Sequence, residues 1–467
     1  MKQKIKTWIR KNKWNIMIWG VILFNLLFYV LLMFARSVWT DEAFTLYLIA
    51  ENYEGITKGT IRDVHPPLYY YIIKPITYIF GKNLIMLKAM SILPVILTFC
   101  MLKKHLSKEF GEKAALLTIL FLGAFPRIMI FAVQIRMYTW ALLFVTGTAI
   151  YAYHCFKESK FKNWVFLVLF SVASAYTHYF AFVAIISVNG FLFLTLLIRK
   201  RNQIKWFALS IVSMFILYIP WMPYFIKQVT RVRAGYWIPE ITDEIILDCY
   251  TWLFKLDLCV FVKYVFFVFI GVSLILIVKN IIQKKGNPII SIICILIPIM
   301  TIETGILLSL QKAPIYRNQY IFPAIALIAL FFGISLRHLR KATIAIITII
   351  LMVLTTLQFK DAYFKEYEMY KTEKTLDYLE ENIGEYDCII YNWERFDFIY
   401  KEQFPGIEQY YIGMFDFSLC YYNMWFMSTK NQPMISEDIL DKYDLKLELI
   451  GAYGIEHNDF DLYRIYK

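Results

Sequence analysis

Long apolar stretches alternate with short polar ones along roughly the first 360 residues. The apolar windows are about 18–22 residues long, enough to cross a hydrocarbon core of about 30 Å as helices. The run 163–198 is too long for one helix and is divided at the polar Thr177-His178-Tyr179. About eleven spans are predicted, at approximately 14–35, 84–102, 114–131, 137–156, 163–178, 180–198, 205–224, 261–280, 288–309, 318–336 and 342–357.

Basic residues are distributed unevenly between the loops that separate these spans. The loops on the side of residues 1–13 hold about 23 Lys and Arg in about 50 positions, whereas the opposite loops hold about 12 in about 100. Since Lys and Arg concentrate in cytoplasmic loops, the N-terminus is predicted to lie in the cytoplasm. The first span is too long for a signal-peptide core. We therefore expect a multi-pass plasma-membrane protein whose outer loops 36–83 and 225–260 and whose tail 359–467 are extracytoplasmic.

Composition supports this class of protein. Of the 467 residues 59% are hydrophobic and 18% are charged, against about 25% charged residues in typical soluble domains. The net charge of +13 is explained by the loop bias, and no basic patch interleaved with aromatic residues indicates nucleic acid. The seven cysteines show no metal-ligand spacing. Cys249 with Cys259, or Cys388 with Cys420, could pair outside, but a role as small apolar residues is the simpler interpretation.

The outer segments have structure of their own. Residues 43–50 and 67–80 are apolar and aromatic but too short to span, so we expect interfacial helices there. Loop 225–260 mixes charged and aromatic residues, which suits a loop that closes over a ligand. In the acidic tail, 372–383 has helical spacing and 387–391, 445–455 and 459–466 resemble strands. The expected domains are thus a transmembrane catalytic domain, 1–358, and a small extracytoplasmic α/β domain, 359–467.

Two carboxylates begin the first outer loop. Asp41 lies within a few residues of the hydrocarbon edge, where an acceptor from water and a donor from the bilayer could meet. A carboxylate there could act as a general base, and partial burial would raise its pKa toward a useful range. Glu42 points in a different direction and is better suited to positioning. The alternative is that both residues cap the helix that follows.

Further polar residues lie at the predicted outer ends of the spans. Asp63 and His65 precede two prolines, and His65 could bind phosphate, a sugar hydroxyl or a metal, or be structural. Arg136, next to Tyr138, is costly at its depth unless it meets an anion, either a lipid phosphate or Asp41 or Glu42. His178 and Arg317 also lie at outer ends. Asp and His would suit a divalent metal, but no spacing demands one, so no cofactor is predicted.

Three motifs together resemble a known family. They are Asp41-Glu42, Asp63-Val64-His65-Pro66-Pro67-Leu68 and Gln134-Ile135-Arg136-Met137-Tyr138. They look like those of the bacterial relatives of the protein O-mannosyltransferases, the family 39 glycosyltransferases of the GT-C fold, a fold that also includes aminoarabinose transferases acting on lipid A. The resemblance covers about residues 14–340. It implies a polyprenyl-phosphate sugar donor, an active site facing outward, the first-loop Asp as acceptor base and Arg136 as a ligand of the donor phosphate.

The sequence also departs from that family. Tyrosines follow Leu68 where the protein mannosyltransferases have small residues and Lys, and the tail shows no β-trefoil-like repeats. Transfer to protein is therefore not supported. Among extracytoplasmic acceptors, a cell-envelope glycan or lipid is favoured over a protein.

The leading hypothesis is an inverting glycosyltransferase that works by single displacement. Asp41 would deprotonate the acceptor, while Arg136, with Arg317 as a second cation, would hold the leaving phosphate. The first alternative is a transporter or flippase of lipid-linked sugars. Such carriers usually place polar residues near the bilayer midplane and repeat their halves, and neither feature is found here. An envelope glycan polymerase or ligase, which would share the donor, is the second alternative.

Overall fold

The computed structural model describes the whole chain except residues 1, 36–37, 234–237, 239, 257–258, 285–287, 312, 365–371, 394–403, 405, 420–422, 430–433 and 454–459. The described residues form two compact units. The first comprises Met1–Leu31, Ile56–Ile72 and Lys88–Asp361. The second comprises Leu32–Gly55, Ile73–Leu87 and Ala362–Lys467. The functional division at 358/359 stays a prediction.

Helices make up most of the chain before the tail. In order they are α1 (Lys2–Leu32), α2 (Thr40–Ala50), α3 (Tyr53–Arg62), α4 (Leu68–Phe80), α5 (Leu84–Glu109), α6 (Glu112–Ala124), α7 (Ile128–Val133), α8 (Tyr138–Lys157), α9 (Phe161–Ala175), α10 (Tyr179–Arg199), α11 (Ile204–Tyr218), α12 (Met222–Arg233), α13 (Asp243–Thr251), α14 (Val262–Ile282), α15 (Pro288–Gln311), α16 (Ile325–Leu336) and α17 (Lys341–Tyr363). Short 3-10 helices occur at Arg201–Gln203, Trp252–Phe254 and Asn318–Ala324.

Among the described residues, 7 helices are long and apolar enough to cross a membrane, and α11 with α12, bent by 73°, would make up to 8. Each predicted span coincides with a helix or a helix pair, which confirms the polytopic helical architecture. The predicted count of about eleven spans is nevertheless higher than the number of described helices that are long and apolar enough to cross a membrane. The reason is that α6 and α9 have only 13 and 15 residues, while α8 carries Thr, Tyr and His among its apolar residues.

The core of the first unit is formed by helices that are buried on all sides. Residues 114–124 of α6 are buried, as is the whole of α16. The two helices approach so closely that a Cβ on Gly333 would lie 1.9 Å from Thr118 Oγ1. Phe121 stacks on Phe332 at 4.2 Å between ring centroids. Because α6 is enclosed by protein, it need not have the length of a lipid-facing span.

Breaks in the helices bring polar groups to their ends. Between α6 and α7, Gln358 donates to the Gly123 carbonyl at 3.1 Å and accepts from the Met129 N–H at 3.0 Å. Between α9 and α10, the predicted break at 177–179 is found as a turn that ends at His178. Backbone groups freed at such breaks need partners inside the protein, which explains the buried amide of Gln358.

The first outer loop is helical. The predicted interfacial segments 43–50 and 67–80 correspond to α2 and α4. Helix α3 was not predicted; it buries Ile56 and Thr60, four residues apart and therefore on one helix face. In loop 225–260, residues 234–237, 239 and 257–258 lie outside the described residues, and the remainder forms the end of α12, α13 and a short 3-10 turn.

The tail contains the predicted small sheet. Helices α18 (Thr372–Asn382) and α19 (Glu437–Tyr443) accompany β1 (Cys388–Tyr391), β2 (Glu408–Tyr411), β3 (Met424–Thr429), β4 (Lys446–Tyr453) and β5 (Phe460–Tyr466). The strand order is β2-β1-β3-β5-β4, with β1 parallel to both neighbours and β5 antiparallel to both of its own. Strands β2 and β3 were not predicted, since neither Glu-Gln-Tyr-Tyr nor Met-Trp-Phe-Met-Ser-Thr alternates clearly between apolar and polar residues.

The described cysteines are free thiols. They include Cys249 and Cys259, so the disulfide considered between them is not formed, and Cys388 is also free. Cys420 lies outside the described residues.

Candidate active site

The segment between α3 and α4 forms a compact polar turn in the first unit. Asp63 Oδ2 lies 2.8 Å from His65 Nδ1, and the two side chains are 24% and 12% exposed. The two prolines that follow lead into α4, whose first residue, Leu68, donates its N–H to the Tyr176 carbonyl at 3.0 Å. That bond ties the turn to the break between α9 and α10, which carries His178.

Helix α12 holds the same turn from the other side. Gln228, which is 2% exposed, donates its Nε2 to the carbonyls of Thr60 and Asp63 at 2.7 and 2.8 Å. Its Oε1 accepts from the Tyr179 hydroxyl, and Arg231 donates to the Asp63 carbonyl as well. The Asp63 backbone is therefore held by two side chains of one helix face.

Arg136 and Tyr138 lie where the turn after α7 enters α8. Arg136 is 3% exposed, and its Nη1 lies 3.5 Å from the Tyr70 hydroxyl. The Tyr138 hydroxyl accepts a hydrogen bond from Gln319 Nε2 at 3.3 Å. A guanidinium buried at the end of a membrane-spanning bundle is costly, which makes it a candidate for binding an anion.

His178 is the most enclosed member of this cluster. Its Nδ1 accepts the Phe180 N–H at 3.1 Å, which places the proton of the neutral ring on Nε2. Nε2 is buried and has no hydrogen-bond partner among the described residues. Its ring centroid lies 5.7 Å from His65, 5.6 Å from Tyr138 and 5.1 Å from Tyr320. The site thus contains a neutral N–H donor available to a ligand.

Charges within the cluster act on one another. Burial alone would raise the pKa of Asp63, but His65 and Arg136 outweigh it and hold that pKa below its usual value. His178 accepts a backbone hydrogen bond at Nδ1, which therefore carries no proton, so its ring is neutral. At neutral pH the site therefore combines an ionised Asp63, a cationic Arg136 and a neutral His178.

Arg317 lies beside this cluster without being part of it. It immediately precedes the 3-10 helix Asn318–Ala324, whose Tyr320 contacts the ring of His178. Its side chain is half-buried, and its carbonyl accepts the Tyr320 N–H at 2.9 Å. The structure thus brings together Asp63, His65, Arg136, Tyr138 and His178 and places Arg317 one short segment away.

Asp41 and Glu42 belong to the second unit, in the first turn of α2. Asp41 is exposed, whereas Glu42 is 1% exposed. Glu42 Oε2 accepts the Trp39 N–H at 2.8 Å, so this carboxylate caps its own helix. For Glu42 this agrees with the alternative prediction that Asp41 and Glu42 cap the helix that follows. Of these two residues, Asp41 alone is exposed.

Three buried polar residues were not predicted as candidates from the sequence. Gln228 could have been noticed because it lies three residues before Arg231 and so shares its helix face. Lys88 is 1% exposed and interrupts the apolar start of α5. Lys74, 5% exposed, donates to the Ile49 carbonyl at 2.7 Å and so satisfies the end of α2. For Lys74 and Lys88, the signal in the sequence was a Lys within an apolar run.

The chemistry of the first-unit cluster suits an anionic ligand. Arg136 supplies a positive charge, and His178 supplies a neutral N–H donor. The Asp63 carboxylate fixes the orientation of the His65 imidazole, whose ring lies beside that of His178. Within the described ranges, no group of three or more His, Cys, Asp or Glu side chains is arranged to hold a metal ion.

A protein-family model matches part of the chain. The family described as dolichyl-phosphate-mannose-protein mannosyltransferase matches residues 64–224. That range contains His65, Arg136, Tyr138 and His178 but ends before Arg317 and begins after Asp41. No curated protein matches the chain.

Solved structures share the fold over nearly the full length. ArnT from Cupriavidus metallidurans bound to undecaprenyl phosphate superposes with a TM-score of 0.61 at 11% identity, covering 97% of this chain and 98% of that chain. The apo form of ArnT gives a TM-score of 0.58 with the same identity and coverage. The chain therefore has the fold of ArnT over nearly its full length and is similar to the mannosyltransferase family model over residues 64–224.

Proposed function

We propose that the chain transfers a sugar from a polyprenyl-phosphate carrier to a hydroxyl group of an extracytoplasmic glycan or lipid. The observation that carries this proposal is the buried Arg136 beside neutral His178 and the Asp63–His65 pair. A buried cation next to an unused N–H donor is complementary to a phosphate that becomes more negative as it leaves.

The comparisons support the donor class. One ArnT structure with this fold holds undecaprenyl phosphate, and the matching family is described by its dolichyl-phosphate-mannose donor. Both carriers are polyprenyl-type phosphates.

The proposed reaction is one displacement with inversion at the anomeric carbon. The acceptor oxygen forms a bond to that carbon while the bond from the carbon to the phosphate oxygen breaks. The electron pair stays on the leaving polyprenyl phosphate, whose charge Arg136 and Arg317 stabilise, and the acceptor proton moves to a carboxylate base. A phosphate leaves readily, so no separate acid is required.

Asp41 is the proposed base. Asp41 is an exposed residue near the start of α2, whereas Glu42 is buried and its carboxylate caps that helix. Asp63 is less suitable because the lowered pKa of its carboxyl makes it a weaker base, and its Oδ2 already contacts His65. His65, Tyr138 and His178 are proposed to contact the donor headgroup.

A direct assay tests the proposed function. Purified protein is incubated with a panel of polyprenyl-phosphate sugars and envelope acceptors, and mass spectrometry follows the glycosylated acceptor and the free polyprenyl phosphate. We expect both products in equal amounts for at least one donor. Movement of the donor across vesicle membranes without any new covalent product would instead support a flippase.

Arg136→Gln should weaken donor binding. Loss of a charge-assisted hydrogen bond costs about 1.5–3 kcal/mol, so the dissociation constant should rise about 10- to 100-fold. Arg127→Gln is the matched control, because Arg127 flanks the opposite end of α7 and contacts the Trp252 ring at 5.2 Å. Binding measured by calorimetry should change little in the control. Equal losses in both variants would mean that Arg136 only stabilises the fold.

A further inference from the structure

Two helices beside the Asp63–His65 turn carry exposed cations that the proposed reaction does not use. Helix α3 ends at Arg62, the residue before Asp63, and α12 carries Lys227 and Arg231. All three cationic residues are exposed. Arg62, Lys227 and Arg231 are together called the Arg–Lys patch.

Hydrogen bonds join the two helices of the Arg–Lys patch. The Asp63 carbonyl accepts from Gln228 Nε2 at 2.8 Å and also from the guanidinium of Arg231. Because Asp63 follows Arg62 directly, the Arg231 guanidinium lies at the end of α3 that carries Arg62. A ligand that binds these cations is therefore held beside the turn of the candidate active site.

The positive charge of the Arg–Lys patch is not balanced by acidic side chains. Within the described part of the chain, none of its three residues forms an ion pair with a carboxylate. Helix α12 contains no Asp or Glu, and the Asp63 carboxylate contacts His65. The bond to the Asp63 carbonyl uses only one of the five N–H donors of Arg231. The patch thus has both charge and donors available to an anion.

Two neighbouring charges on α3 are left out of the Arg–Lys patch. Lys58 is exposed and lies one turn before Arg62, but Glu54 lies one turn before Lys58 in the same helix. A Glu four residues before a Lys is placed to offset its charge. The net charge of this surface is therefore set by the three residues of the patch.

The topology rule does not account for cations at this place. The predicted outer loops are poor in Lys and Arg, with about 12 in about 100 residues, yet three of these form the patch. Positive charge concentrated beside a site attracts anionic ligands and raises their local concentration. A binding role explains the clustering that topology leaves unexplained.

The spacing of the cations suits an extended ligand with several negative charges. Lys227 and Arg231 lie one turn apart on one face of α12, about 5–6 Å between Cβ atoms, and Arg62 lies on the other helix. A single small anion would leave part of the patch unused. After Tyr53, α3 exposes no large apolar side chain, so its exposed face is suited to water rather than to acyl chains.

We propose that the acceptor is an anionic glycan whose phosphate or carboxylate groups bind the Arg–Lys patch. The patch would hold the glycan while one of its hydroxyl groups enters the candidate active site. This inference rests on the proposed function and narrows its acceptor class. Guanidinium and ammonium groups pair with either anion, and neutral glycans lack such contacts. Because the cations are exposed, salt should weaken the attraction.

Binding of sugar hexamers to the full chain, in the absence of donor, tests the proposal. The probes are phosphorylated maltohexaose, hexagalacturonate and neutral maltohexaose, and calorimetry in a neutral detergent at low salt measures their dissociation constants. We expect the tighter of the two anionic hexamers to bind about tenfold or more tightly than maltohexaose and to weaken as salt is added. That hexamer identifies the anion. Equal binding of all three probes would overturn the proposal.

Removal of single charges locates the binding surface. Arg62→Gln and Lys227→Gln should each weaken binding of the tighter anionic hexamer about two- to fivefold, the effect of an exposed ion pair. Neither variant should change the binding of maltohexaose. Arg231 is kept, because it also holds the Asp63 carbonyl.

Lys442→Gln is the control, since Lys442 is an exposed cation of the second unit. It should leave binding of the anionic hexamer unchanged. Equal weakening by the Lys442 and Lys227 variants would show general attraction to a basic protein and overturn the proposal.

Competition with lipid separates a glycan from a membrane surface. Phosphatidylglycerol is added to the detergent, with phosphatidylcholine as the neutral comparison. Displacement of the anionic hexamer by phosphatidylglycerol at equal or lower concentration would assign the patch to lipid headgroups and overturn the proposal. Sugar transfer is measured separately. Transfer to a neutral acceptor without binding of either anionic hexamer would reject this inference alone, whereas hexamer binding without transfer from any donor would contradict the proposed function.

Discussion

Replacement of Asp41 is expected to slow sugar transfer strongly while leaving donor binding nearly unchanged. Asp41→Asn keeps size and hydrogen bonding but removes the basic oxygen, so transfer should fall about 10²–10⁴-fold. Asp243→Asn is the matched control, because Asp243 is another exposed acid in the first turn of a short helix of the outer loops. It should transfer sugar at nearly the wild-type rate. A folded Asp41→Asn protein with wild-type turnover would remove Asp41 from the mechanism.

Asp63 should give the turn before α4 a pH-dependent stability. Its folded-state pKa is lowered, so its contribution is fully present above the usual Asp value of about 3.9 and is lost as pH falls through the lower folded-state value. The difference in melting temperature between wild type and Asp63→Asn should therefore be constant near pH 5 and shrink below pH 4. In a His65→Gln background this pH-dependent part of the difference should be smaller, because His65 is the main group that lowers the Asp63 pKa. A difference that does not vary with pH would contradict the Asp63–His65 interaction.

At the scale of whole elements, helix α12 is expected to hold the Asp63–His65 turn in place. Gln228→Ala would leave the carbonyls of Thr60 and Asp63 without their buried donor, at a cost of about 1–3 kcal/mol of unfolding free energy. Thr230→Ala is the control on the exposed face of the same helix, since its hydroxyl donates to the Ile226 carbonyl within that helix. Denaturant unfolding and the KM for the donor measure the effect. Equal values for the two variants would mean that α12 does not hold the turn.

At the scale of the whole molecule, the loop-charge bias predicts the topology. Single cysteines replacing Glu51 and Lys442, in a background without the native cysteines, should react with an impermeant reagent from outside intact cells. A cysteine replacing Asn202 should react only after permeabilisation. All three positions are exposed, so a difference in labelling reports the side of the membrane. Protection of Lys442→Cys alone would mean that the number of spans before the tail differs by one from the predicted count.

Local features of the sequence were sufficient for the class of fold. Hydropathy and charge act on each segment separately, so helices were predicted at all eleven positions and the sheet was expected in the tail. The Asp63–His65 pair was likewise predictable, because two residues separated by one position can meet within a turn. The resemblance of three short motifs then pointed to the GT-C superfamily.

Only the tertiary structure determined which residues distant in the sequence come into contact, and which polar side chains are buried or exposed. Arg136 and His178 join Asp63 because the breaks after α7 and α9 end beside the α4 turn, and no local pattern contains that packing. Packing also decided that α6 is enclosed by protein and that Glu42 caps a helix while Asp41 stays exposed. The physical reason is that hydrophobicity is a property of each segment, whereas burial and hydrogen-bond partners are properties of the assembled chain.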